Sequence, residues 1–168
     1  MKFTLLTHAK EFEKRSNTGR LVLEVLGQDA EQVAWERLRP PEMLLQQIAT
    51  GTVALVYPGQ ADTPPDDLAG VRQCVLLDGT WLTARRMHQR SPYLRDLRRV
   101  HLRPQAPSRY NLRPHQKPGG LCTAECVIAI LRQLGQDEQA ETLQQRFLAF
   151  LKPSNALRMP VPRSASSA

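Results

Sequence analysis

The sequence has no apolar run approaching the ~18 residues a helix needs to cross a bilayer. Residues 1–6 are too short and too soon interrupted to make a secretory leader. The cytoplasm is therefore the expected compartment, with no membrane partner. Cysteine is scarce: Cys74, Cys122 and Cys126 are odd in number and form no CxxC pair, which argues against disulfides and a structural zinc. The histidines His8, His88, His101 and His115 are scattered without metal-ligand spacing, so none is assigned to catalysis and no metal is expected. No glycine-rich phosphate loop of the dinucleotide or P-loop type occurs. Acids are short as well: 16 Asp and Glu face 23 Lys and Arg, a formal net charge of +7. That surplus, mostly arginine, favours a polyanionic partner such as nucleic acid, because guanidinium suits bidentate phosphate contacts. No obligate protein partner is evident.

What is present fits one soluble domain: 168 residues suffice for a single core and are too few for two. Strand-like segments at residues 2–6, 52–57, 71–77 and 99–102 alternate with helical patterns. The helices are expected after Asn17-Thr18-Gly19, around Leu44, Leu45 and Ile48, over 81–89, from Thr123 to Gly135, and over 137–152. Residues 28–39 are ambiguous, with Val33 and Trp35 alternating as in a strand. This order predicts an α/β fold, a mostly parallel sheet with helices on both faces. Residues 1–152 are expected to form the domain, and 153–168, rich in Pro, Ser and Ala, a flexible C-terminal tail.

The stretch 75–87 stands out. A nearly all-apolar run, as expected of a central parallel strand, ends in Asp78-Gly79-Thr80-Trp81 and passes into a basic helix carrying Arg85 and Arg86. Carboxyl ends of parallel strands open into ligand crevices. Asp78 there suits a general base, a hydrogen-bond acceptor, a metal ligand or a plain turn; Trp81 reads as core before it reads as a stacking platform. Residues 103–120 form a long, proline-bearing, basic segment without regular period, of the kind that is usually functional inside a compact domain. Its Ser108-Arg109-Tyr110-Asn111-Leu112-Arg113 interleaves arginine with an aromatic, as in recognition of unpaired bases, although a solvated basic loop has the same composition. Asn17 and Thr18 read either as caps or as ligands at a helix N-terminus. Thr123 reads as a cap with Glu125 in the first turn, and Cys122 and Cys126 read as small apolar residues.

Taken together these segments resemble the DTW-domain family, the tRNA-uridine aminocarboxypropyltransferases, which are similar to ribosomal-RNA aminocarboxypropyltransferases and to SPOUT-like knotted proteins. The match runs in order through Thr7-His8-Ala9-Lys10-Glu11 with Lys14 and Asn17-Thr18-Gly19, then Leu76-Leu77-Asp78-Gly79-Thr80-Trp81, then Ser108–Arg113, then Leu121-Cys122-Thr123-Ala124-Glu125. The resemblance implies a SPOUT-like fold with a C-terminal trefoil knot. It implies an enzyme that takes S-adenosylmethionine as group donor and moves its 3-amino-3-carboxypropyl group to N3 of a uridine in tRNA, releasing methylthioadenosine. On it, Asp78 is the proton acceptor. Thr18, Leu76, Leu77, Leu102, Tyr110, Arg113, Leu121, Cys122 and Thr123 would bind the donor or target base, and Arg85, Arg86, Arg109 and Lys117 the RNA. Relatives often carry a cysteine-rich segment ahead of His8, which this chain does not show, and have serine and alanine where Cys122 and Cys126 stand. A SPOUT-type RNA methyltransferase and a non-catalytic RNA-binding paralogue are the alternatives.

Overall fold

The computed structural model describes residues 1–59, 67–104, 106–112 and 119–152. The expected tail at 153–168 lies outside them, as do Arg113 and Lys117. Five strands form one sheet: β1 (Lys2–Thr7), β2 (Ala30–Ala34), β3 (Val53–Val56), β4 (Gln73–Asp78) and β5 (Arg98–Val100). Every pairing is parallel, and the order is β2-β1-β4-β3-β5, so β4 lies at the centre.

Side chains alternate across the pleat, and both faces are covered. Phe3, Leu5, Ala54, Cys74 and Leu76 join a core with α1 (Gly19–Leu26), α5 (Thr123–Gln133) and α6 (Asp137–Phe150). Leu6, Val53, Leu55 and Val75 join a second core with α2 (Glu42–Ala49), α3 (Trp81–Arg90) and α4 (Pro92–Arg95). The expected α/β class and the helices on both faces are therefore present. The ambiguous 28–39 stretch contains a strand, but Trp35 falls just beyond its end. Helix α4 was not expected from periodicity: four residues starting on Pro92 are one turn, too short to show a 3.6-residue pattern.

Helix α5 begins one residue earlier than its Ser/Thr chemistry suggests. Cys122, not Thr123, is the N-cap, and Glu125 Oε2 accepts from the Cys122 N–H at 3.0 Å. The spacing from Cys122 to Glu125 is that of a capping box, with cysteine in the hydroxyl position. The helix closes on Gly135 at φ 71°, where Gln136 N–H reaches Leu131 O and Gly135 N–H reaches Arg132 O, the double bond of a Schellman turn.

Candidate active site

The parallel sheet brings the carboxyl ends of β1 and β4 side by side, with Thr7 level with Asp78. The turn before α1 and the start of α5 close over them. Asp78 is 3% exposed. Its Oδ2 accepts from Asn17 Nδ2 at 2.8 Å and lies 3.1 Å from Thr7 Oγ1, while its Oδ1 accepts from Thr123 Oγ1 at 3.0 Å. Thr123, freed from capping, thus serves as a donor to the carboxylate. Burial pushes the Asp78 carboxyl above its ordinary range; hydrogen bonds from Asn17, Thr123 and Thr7 pull it back in part, and the nearby Glu11 carboxylate adds to the rise. A carboxylate offers about four acceptor positions, so three donors leave one for a ligand.

Asn17 has two jobs. Its Nδ2 also donates to Glu11 O at 3.0 Å, and its Oδ1 accepts from Gly19 N–H at 2.6 Å, so it caps α1 where Thr18 makes no side-chain cap. Thr18 instead accepts from Ala124 N–H at 3.3 Å, joining the α1 and α5 N-termini. Gly19 makes this packing possible: a Cβ there would stand 3.0 Å from Asn17 Oδ1 and 3.1 Å from Asp78 Oδ2.

Asp78, Asn17, Thr18 and Thr123 line a cavity of about 690 Å³. The structure brings Asp78, Thr18, Leu76 and Leu77 to it, together with Leu102, Tyr110, Leu121, Cys122 and Thr123. Tyr110 is buried and donates its hydroxyl to Ser16 O at 2.6 Å. Glu125 latches the segment before it: Ser108 Oγ donates to Oε2 at 2.6 Å and Arg109 N–H to Oε1 at 2.8 Å. Arg85, Arg86 and Arg109 are exposed and line no part of the cavity. Burial pushes the Cys126 thiol up to about 12 and the Cys122 thiol well above its usual value, which keeps both protonated at neutral pH, as small apolar residues should be.

Trp81 is half-buried on the cavity wall rather than in the core. Its ring stands 6.0 Å from Tyr57, which stacks on His88 at 4.4 Å. Some lining residues carry little sequence signal: Tyr57 and His101 lie far apart in the chain, and only the sheet brings them together. Thr7 was detectable in principle, as the polar last residue of an apolar strand. His101 accepts from Gly59 N–H at 2.6 Å, an approach that a Cβ on Gly59, 2.8 Å from the ring, would prevent.

The chain matches the DTW domain family over residues 1–154. It is 32% identical over 148 residues to the curated tRNA-uridine aminocarboxypropyltransferase 2 of Drosophila melanogaster, covering 83% of this chain and 59% of that relative. The chain thus spans about three-fifths of that relative's length. No solved structure matches. Among the described residues no helix is long and apolar enough to cross a membrane. With a match over nearly its whole length, and with the Asp78 turn and the Thr123 turn meeting at one cavity, the chain belongs to the DTW domain family.

Proposed function

We propose that residues 1–152 form a tRNA-uridine aminocarboxypropyltransferase that works in the cytoplasm and takes S-adenosylmethionine as donor. The observation that carries the reading is Asp78: a carboxylate raised in pKa by burial, held by three donors and lining the cavity, with an acceptor position to spare. Family membership and the name of the Drosophila relative support the same class of reaction.

The walls suit such a donor. Val56, Leu76, Leu102 and Leu121 offer apolar surface for an adenine ring, and Thr18, Thr123, Ser16 and Lys14 offer polar groups for an amino-acid end. Bound there, S-adenosylmethionine supplies an electrophilic carbon next to its sulfonium. Asp78 accepts the N3 proton of the uridine as that nitrogen forms its bond to the carbon and the carbon–sulfur bond breaks, releasing methylthioadenosine. Thr7, Asn17 and Thr123 hold the carboxylate in place, so that positioning supplies much of the rate. Arg85, Arg86, Arg109 and Lys117 hold RNA phosphate, and Tyr110 and Arg113 the target base.

The C-terminal trefoil knot of SPOUT-like proteins belongs to the same proposal. In its support, the chain leaving the edge strand β5 returns to the sheet centre, where residues 121–123 line the cavity and Thr123 meets Asp78. The products test the reaction. With tRNA present, chromatography should find methylthioadenosine formed from S-adenosylmethionine; S-adenosylhomocysteine instead would make the protein a methyltransferase, and no turnover would favour a binding protein.

A further inference from the structure

This inference rests on the transferase reading and concerns how its donor is held. An α-carboxylate removed from bulk water requires a cation or several N–H donors. Among the described residues that line the cavity, Lys14 is the one lysine or arginine. Its side chain is 42% exposed, and its Nζ stands 2.7 Å from Glu11 Oε1. Glu11 is 1% exposed, an acid sunk beneath the surface and paired with an ammonium at the cavity wall. A buried carboxylate of this kind is costly unless its partner is well placed.

The backbone explains why the pair is fixed. Residues 8–17 form consecutive tight turns: Glu11 N–H donates to His8 O at 2.8 Å, Lys14 N–H to Glu11 O at 3.2 Å, and Asn17 N–H to Lys14 O at 2.9 Å. The Asn17 amide then bonds Glu11 O and Asp78 Oδ2 together. Lys14 is thereby set at a fixed position relative to Asp78. An ammonium has three donors; Glu11 takes one and aims the head.

We propose that Lys14 binds the α-carboxylate of S-adenosylmethionine, and that Glu11 is the positioning residue that holds its ammonium there. An RNA phosphate has the same charge and is the competing occupant. The donor carboxylate is favoured because Lys14 shares the cavity with Asp78, whereas the exposed arginines that suit phosphate lie outside it.

Calorimetric titration of the full chain separates the two. Three probes are used: S-adenosylmethionine, its decarboxylated analogue, which keeps the sulfonium and lacks only the carboxylate, and methylthioadenosine. The wild type should bind S-adenosylmethionine about tenfold more tightly than the decarboxylated analogue. Lys14→Met should erase that preference, losing about tenfold for the first ligand and nothing for the other two. Glu11→Gln should erode the preference in the same direction by a smaller factor. Equal loss for all three ligands in Lys14→Met, or unchanged donor affinity with weakened tRNA binding, would overturn the assignment. If the wild type bound none of the three, the transferase reading itself would fail, and the donor role of Lys14 with it.

Discussion

At Asp78 a single side chain is gripped from three directions, by Thr7 at the end of β1, Asn17 ahead of α1 and Thr123 at the start of α5. Its raised pKa fixes the sign of two pH effects. As a base it must be ionised, so kcat/KM should rise with pH through a value above the ordinary carboxylate range, and Asp78→Asn should abolish turnover. A folded pKa above the unfolded one means that the native state holds the extra proton between the two. Stability should accordingly fall as pH rises through that window, and urea titrations of Asp78→Asn should lack the slope. The same substitution replaces one acceptor oxygen by an NH₂, which can face the Thr123 hydroxyl, so its cost to stability should stay at about 1 kcal/mol. Gly19→Ala probes the geometry without touching the charge. Its Cβ would press on Asn17 Oδ1 and Asp78 Oδ2, so turnover should drop about tenfold. Stability should fall by about 1–3 kcal/mol, since the added Cβ also presses on the buried Leu5 Cδ1 and alanine's better helix propensity offsets only part of that overpacking. Asp78 was legible as a candidate because an apolar run ended on it. Its three donors were not, because two of them come from segments more than sixty positions earlier in the chain.

The elements themselves divide along the same line. Strands buried on both faces write themselves as apolar runs, which is why β3 and β4 could be read directly. Helices α1, α2, α5 and α6 carried a 3.6-residue pattern. The start of α5 lies one residue before its Ser/Thr signal because cysteine is not an ordinary cap, although Glu125 stands three positions after it. Glu125 was legible as an acid suited to a helix N-terminus. Its second task, closing the segment that carries Ser108 and Arg109, depends on a long-range contact that no local rule foresees. Glu125→Ala would strand the Cys122 and Arg109 N–H groups and the Ser108 hydroxyl. It should lower stability by about 1–3 kcal/mol in urea denaturation, and raise KM for the donor because Tyr110 loses its support.

For the whole molecule, the layered α/β class followed from alternation, but the strand order did not, since nothing in a parallel strand states its neighbour. Net charge was legible at once, and it governs encounter with a polyanion. Binding of tRNA should weaken linearly in log Kd against log salt, and the double change Arg85→Gln with Arg86→Gln should reduce that slope by about one to two. The donor affinity of that variant should be unchanged, because neither arginine lines the cavity. The transfer itself is tested most directly by mass spectrometry of nucleosides from tRNA incubated with the protein and S-adenosylmethionine. A uridine heavier by one 3-amino-3-carboxypropyl group is expected, and none with Asp78→Asn; a methylated base, or tRNA left unmodified by the wild type, would contradict the transfer.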